Sequence, residues 1–173
     1  AAEGKKVGIL DADVWGFSVP RMLGVSGKPV GFNDMILPLE GHGVKVISMG
    51  FFVPEETPVI WRGPMLHKAI EQFLGDVYWG DLDFLLCDLP PGTGDVSISL
   101  ASFLPGASML VVTTPQEAAR KVAERAGKMA ERWTPHVPFY AGAASATVAI
   151  GVLAYSRAHL RGGFRKALAV IGE

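Results

Sequence analysis

The chain has 173 residues, of which 49% are hydrophobic and 19% are charged, and its formal net charge is −1. This length suits a single hydrophobic core, and the composition excludes a disordered chain. A net charge this close to zero gives no electrostatic reason to bind nucleic acid or an anionic membrane, so we predict neither partner.

The hydrophobic pattern alternates between short apolar runs, typical of buried strands, and helical spacing. In chain order it predicts a strand at 5–10, a helical turn at 18–23 capped by Ser18, an irregular loop at 24–43, a strand at 44–49, a helix at 64–74, a strand at 83–87, a helix at 95–103 capped by Asp95, a strand at 108–113 and a helix at 115–133. Strands that alternate with helices predict an α/β fold with a parallel sheet covered on both faces.

The character of the sequence changes after Trp133, which divides the chain into 1–133 and 134–173. The second part is rich in Ala and Gly and follows no clear period before a helix-like segment at 164–170. A low-complexity tail, a variable subdomain and a reading-frame error would all give this pattern. Within it, 137–156 carries no charge and reaches the length of a bilayer span, but its many small residues make it weakly hydrophobic, so we predict no membrane helix.

Cys87 is the single cysteine of the sequence. One thiol cannot form an internal disulfide, so nothing favours an oxidising compartment, and we predict a cytoplasmic protein. One thiol also cannot build a zinc or iron–sulfur site by itself. Its place inside an apolar run predicts a buried core thiol.

Two aspartates, Asp11 and Asp13, follow the first predicted strand. Residues at the carboxyl end of a parallel strand face the crevice in which α/β proteins bind ligands. A carboxylate at that place can orient an attacking water or hold Mg²⁺ through a water molecule. The alternative is that Asp11 caps a turn and that Asp13 is a solvated loop residue.

A second motif runs from the apolar strand at 83–87 through Asp88 into Pro90-Pro91-Gly92-Thr93-Gly94-Asp95. An aspartate directly after four apolar residues fits the Walker B pattern, in which a strand sets a carboxylate beside Mg²⁺ and the nucleotide phosphates. Gly92 and Gly94 have no Cβ, so their backbone N–H groups can approach a γ-phosphate. The alternative is an ordinary strand-to-helix turn.

These two motifs together resemble the switch I and switch II segments of the Mrp/ApbC iron–sulfur cluster carriers. Trp61-Arg62-Gly63-Pro64-Met65 and Thr113-Thr114-Pro115-Gln116-Glu117 also resemble strings of that family, and the match extends over about 3–132. The resemblance implies a doubly wound, parallel-sheet P-loop NTPase fold of the deviant Walker A class. It further implies that ATP and Mg²⁺ bind between the two subunits of a homodimer, that ATP is hydrolysed, and that a [4Fe–4S] cluster is handed to apo iron–sulfur proteins.

The resemblance also implies roles for individual residues. Asp13 would help to activate the attacking water, Asp11 would support the Mg²⁺ shell, and Asp88 would hold a Mg²⁺-bound water. The nucleotide-binding residues would be Gly92 and Gly94 at the phosphates and Pro115 and Gln116 near the adenine.

The sequence departs from this family in two places. It has no glycine-rich loop that ends in Gly-Lys-Ser or Gly-Lys-Thr, so we expect that the chain begins after that loop and lacks the first strand and helix of the core. The missing strand would leave two strand edges exposed, and ATP should bind no more tightly than about millimolar.

The second departure is that no cysteine follows Cys87, so cluster binding by this chain is unsupported. We expect the segment after about Trp133 to be a frame-shifted translation, and this chain alone to be inactive. The alternatives are a non-enzymatic scaffold of the same fold and a regulatory ATPase of the cell-division or plasmid-partition type.

Overall fold

A seven-stranded sheet with helices packed against it forms the fold. The computed structural model describes residues 1–53, 61–91, 94–105, 107–133, 140–143 and 150–156. The strands are β1 Val7–Asp11, β2 Val30–Phe32, β3 Met35–Leu37, β4 Leu39–Gly41, β5 Val44–Ser48, β6 Phe84–Asp88, β7 Ser108–Thr113, β8 Tyr140–Ala143 and β9 Ile150–Ser156. The helices are α1 Val19–Met22, α2 Gly63–Gly75, α3 Asp95–Phe103 and α4 Glu117–Trp133, and a 3₁₀ turn spans Met49–Phe52.

The strand order in the sheet is β4-β5-β1-β6-β9-β7-β8. Strand β1 pairs in parallel with both β5 and β6, and β7 pairs in parallel with β8. The edge strand β4 and the inner strand β9 run antiparallel to their neighbours. This mostly parallel sheet with intervening helices confirms the predicted α/β class.

Apolar side chains on both the sheet and the helices form the core. The central strands contribute Leu10, Ile47 and Leu85, which are fully buried. Helix α2 buries Leu66, Ile70, Phe73 and Leu74, which recur at the spacing of one helix face. Each such side chain stabilises the fold by about 1.5–3 kcal/mol through removal of its apolar surface from water.

The segment 24–43, predicted as an irregular loop, contains three short strands. The pair β2 and β3 forms a hairpin whose turn residues Asn33 and Asp34 both have positive φ angles, as a two-residue type I′ turn requires. Strand β4 then pairs with β5. The prediction was wrong because strands of three residues are too short to show a period, and long-range pairing holds them instead.

One predicted helix cap differs from the structure. Gly94, not Asp95, is the N-cap of α3, and Asp95 is the first helical residue, where its charge suits the helix dipole. Ser18 is the N-cap of α1, as predicted, although its side chain makes no capping hydrogen bond.

Strand β9 comes from the C-terminal segment and lies between β6 and β7. The expectation of two exposed edges at this point of the sheet was therefore wrong, because β9 pairs with both strands. The division of the chain at 133 stays a prediction, and the helix-like segment at 164–170 lies outside the described residues.

Within the described ranges, none of the helices combines the length and the hydrophobicity needed to cross a bilayer. Parts of the uncharged stretch 137–156 are the strands β8 and β9, and the rest lies outside the described residues.

Candidate functional site

Carboxylates meet at the carboxyl edge of the central strands. Asp11 is the last residue of β1, and the sheet register pairs it with Asp88, the last residue of β6. Neighbouring strands lie about 4.8 Å apart, and paired residues of a parallel ladder project to the same face. The backbone N–H of Ala12 donates to the carbonyl oxygen of Asp88 at 2.9 Å, so the chain that leaves β1 stays attached to β6.

The Asp11 carboxylate is completely buried and joins two parts of the chain. Its Oδ2 accepts a hydrogen bond from the Ser48 hydroxyl at 3.1 Å, and its Oδ1 accepts one from the backbone N–H of Asp13 at 3.3 Å. Ser48 is the register partner of Asp11 on the other side, at the end of β5. The Asp11 side chain is therefore a structural link, and solvent does not reach it directly.

Asp13 lies on the segment that follows β1, and its carboxylate is partly accessible. Its Oδ1 accepts a hydrogen bond from the backbone N–H of Trp15 at 3.0 Å. Its Oδ2 lies over Gly16, where an added Cβ would stand only 2.7 Å from that oxygen. Glycine at position 16 therefore leaves the space in which the Asp13 carboxylate sits, and the neighbouring Trp15 side chain is 83% exposed.

Burial and mutual repulsion disfavour the ionised forms of the acids at this edge. Burial raises the pKa of Asp11 to about 6, the hydrogen bond from Ser48 opposes that rise, and the charges of Asp88 and Asp13 add to it. Burial also raises the pKa of Asp88, and the charge of Asp13 raises it further. A cation at this edge would relieve both effects.

The carboxylates fit Mg²⁺ held through water better than a directly coordinated metal. Among the described residues, no group of three or more His, Cys, Asp or Glu side chains is arranged to bind a metal ion directly. Mg²⁺ keeps several of its waters and usually takes one or two carboxylates together with substrate phosphates. The half-accessible Asp88 and Asp13 suit that mode of binding, and the buried Asp11 lies behind them.

The segment after β6 leads to the N-terminus of α3. Gly94 caps this helix, and a Cβ added there would meet no atom of the described residues within 4 Å. The first N–H groups of a helix attract anions such as phosphate. Gly92, predicted to bind the nucleotide, lies outside the described residues.

Pro115 and Gln116 lie elsewhere on the same edge. Both are exposed and connect β7 to α4, and the carbonyl oxygen of Gln116 accepts a hydrogen bond from the backbone N–H of Arg120 at 2.9 Å. Strand β9 separates β7 from β6, which puts these residues about two strand spacings from Asp88. The structure thus brings Asp11, Asp13 and Asp88 together and keeps Pro115 and Gln116 apart from them.

Known proteins resemble this chain in sequence and in fold. Residues 1–138 match the family model described as "NUBPL iron-transfer P-loop NTPase", within the ParA group. The chain belongs to this family.

Relatives of this chain include two proteins named iron–sulfur cluster carrier protein. The one from Mycobacterium leprae is 62% identical over 130 residues, which are 75% of this chain and 34% of the relative. The one from Bacillus subtilis is 52% identical over 127 residues, 73% of this chain and 36% of the relative. The chain therefore spans about a third of the length of the curated relatives that it matches.

A solved structure shows the same P-loop NTPase fold. It is a nucleotide-binding protein from Archaeoglobus fulgidus in complex with ADP, with a TM-score of 0.59 and 38% identity. The match covers 76% of this chain and 51% of that protein. The predicted P-loop NTPase fold and the predicted family are thereby confirmed.

Cys87 is a free, fully buried thiol on β6, which confirms the predicted core cysteine. Burial raises its pKa to about 12, and the charge of Asp88 adds to the rise. A thiol that resists ionisation is a poor metal ligand.

Sequence reasoning missed Ser48 and Gly16, which both contact the predicted acids. The available signal for Ser48 was a polar residue at the end of a strand next to the Asp11 strand. For Gly16 it was a glycine three residues after an acid on a ligand-binding edge.

Proposed function

We propose that the protein that contains this chain binds ATP with Mg²⁺ between the subunits of a homodimer, hydrolyses it, and delivers iron–sulfur clusters to apoproteins in the cytoplasm. The observation that carries this proposal is the meeting of Asp11, Asp13 and Asp88 at one sheet edge. The names of the relatives and the ADP bound to the Archaeoglobus fulgidus protein support the nucleotide and the cargo.

In the proposed mechanism each acid has its own role. Asp13, the partly accessible carboxylate beyond the strand end, orients the attacking water. Asp88 holds a water of the magnesium shell, and the buried Asp11 supports that shell and keeps the Asp13 segment in place. Mg²⁺, when bound, neutralises charge on the phosphates, and the N-terminus of α3 beside Gly94 offers N–H groups to them.

The iron–sulfur cluster is the cargo in this proposal, and the residues of this chain do not fit its ligands. A [4Fe–4S] cluster needs four thiolates, whereas the sequence has one cysteine, Cys87, which is buried. The cluster ligands would therefore be cysteines elsewhere in the protein that contains this chain.

The experiment is ATP hydrolysis by a protein that contains this chain at the full length of its relatives. Asp13→Asn keeps the shape of the side chain but removes its charge, and we expect kcat to fall by about 100-fold or more. The matched control is Asp34→Asn in the β2–β3 turn, because Asn tolerates the positive φ angle there. Unchanged hydrolysis in the Asp13 variant would refute the role proposed for this acid, and a wild-type protein without hydrolysis would favour a scaffold.

A further inference from the structure

The Ser48 hydroxyl lies at the junction of three segments. Ser48 ends β5, is fully buried, and is the register partner of Asp11. Its Oγ donates to Asp11 Oδ2 at 3.1 Å and accepts a hydrogen bond from the backbone N–H of Gly50 at 3.1 Å. One hydroxyl therefore fixes both the Asp11 carboxylate and the start of the 3₁₀ turn at Met49–Phe52.

The Asp11 carboxylate transmits this constraint to Asp13. With Oδ2 held by Ser48, the other oxygen faces the backbone N–H of Asp13, which it binds at 3.3 Å. Because Asp11 is buried, its orientation depends on protein donors and not on water. Loss of the Ser48 donor would leave a buried carboxylate oxygen without that partner.

Phe17, at the other end of the segment that begins at Asp11, packs against the turn that follows Ser48. The Phe17 ring lies against the backbone of Gly50, where an added Cβ would stand 2.5 Å from Phe17 Cδ2. The segment 11–17 is thus attached at both ends to the Ser48–Gly50 turn, at Asp11 by a hydrogen bond and at Phe17 by packing. Asp13 lies between these two attachment points.

We propose that Ser48 is a positioning residue that sets the place of Asp13 through Asp11 and, together with Gly50 and Phe17, holds segment 11–17 against the end of β5. This inference rests on the proposed function for its effect on hydrolysis. Its structural part stands on the contacts alone and can be tested separately.

The first test is amide hydrogen exchange on this chain. In Ser48→Ala the amides of Asp13 and Trp15, neither of which touches Ser48, should exchange at least about tenfold faster. Ser48→Thr retains the hydroxyl and should restore the protection. The matched control is Ser102→Ala, because the Ser102 hydroxyl also makes a hydrogen bond, but to the carbonyl oxygen of Ser99 within α3.

Unchanged exchange at Asp13 and Trp15 in folded Ser48→Ala would overturn the proposal, and so would an equal increase in Ser102→Ala. Where Ser48→Ala does not fold, Gly50→Ala replaces it, since its Cβ displaces the Phe17 ring but leaves the hydroxyl in place. Faster exchange at Trp15 in that variant supports the attachment, and unchanged exchange refutes it.

The second test is hydrolysis in a protein that contains this chain at the full length of its relatives. We expect Ser48→Ala to lower kcat by about 10–100-fold, with KM for ATP within about threefold, because the variant misplaces Asp13 without removing it. Ser48→Thr should recover most of kcat.

The two proposals fail in different ways. Loss of hydrolysis in Asp13→Asn with a normal kcat in Ser48→Ala would leave the proposed function standing and overturn the positioning role. Normal hydrolysis in Asp13→Asn would refute the catalytic role of Asp13, a wild-type protein without hydrolysis would overturn the proposed function, and in both cases the exchange experiment would still decide the role of Ser48.

Discussion

At the scale of single residues, Asp11 is a carboxylate whose burial lowers the stability of the fold at neutral pH. Its pKa of about 6 in the folded protein exceeds the ordinary value of 3.8. The folded state therefore binds more protons than the unfolded state between these two values, and the free energy of unfolding falls as pH rises through this window. A shift of about two units corresponds to about 3 kcal/mol.

Asp11→Asn should remove this penalty and raise the free energy of unfolding at pH 7, without Mg²⁺, by up to about 3 kcal/mol. Urea unfolding at several pH values between about 4 and 7 measures the effect, and the fall in stability over this range should be smaller in the variant. Asp34→Asn at an exposed turn is the control. A variant that loses stability with rising pH as steeply as the wild type would show that another group causes the dependence.

The acids of this site could be predicted from sequence, because Asp11 and Asp88 each stand at the end of an apolar strand and Asp13 follows Asp11 by two residues. Ser48 could not, because a serine at a strand end has no distinctive pattern and its role depends on the register that pairs it with Asp11. The Gly16 contact likewise depends on where the Asp13 carboxylate turns after the strand. The sequence shows which acids stand at strand ends. The hydrogen bonds and packing that orient these acids come from residues on other strands and turns, and the sequence does not show those contacts.

At the scale of elements, α2 could be predicted because its apolar residues recur at helical spacing, and the structure buries that face. Ile70 is fully buried in the core. We expect Ile70→Ala to lower the free energy of unfolding by about 2–5 kcal/mol, through lost burial and the cavity left behind. The exposed Lys68 on the same helix is the control, and Lys68→Ala should change stability by less than about 0.5 kcal/mol.

Chemical denaturation of the two α2 variants measures this difference. Equal, small effects would mean that α2 does not pack as described.

The three-residue strands of the hairpin, unlike α2, could not be predicted, because no local sequence pattern marks them. Hydrogen bonds to distant residues hold them, such as the bond from the Ile36 N–H to the carbonyl oxygen of Asp76.

At the scale of the whole molecule, the alternation of strands and helices predicted the α/β class and a parallel sheet, and β1 does pair in parallel with both of its neighbours. The alternation did not predict β9. Apolar and polar residues do not alternate strictly over 150–156, and the strands with which β9 pairs, β6 and β7, are antiparallel to it. Pairing of β9 with both β6 and β7 makes it an inner strand. The two halves of the sheet, β4-β5-β1-β6 and β7-β8, are therefore joined through backbone hydrogen bonds of β9, which follows α4 in the chain.

This topology predicts that β9 is required for a cooperative fold. Leu153→Pro removes a backbone donor in the middle of β9, where Leu153 pairs with Cys87 on one side and Met109 on the other. We expect the variant to lose cooperative thermal unfolding and to aggregate, because β6 and β7 would become open edges. Val30→Pro, at the first residue of the short β2 strand, is the control and should unfold cooperatively, since proline is tolerated at a strand start. If Leu153→Pro unfolded as cooperatively as the wild type, β9 would not join the two halves of the sheet.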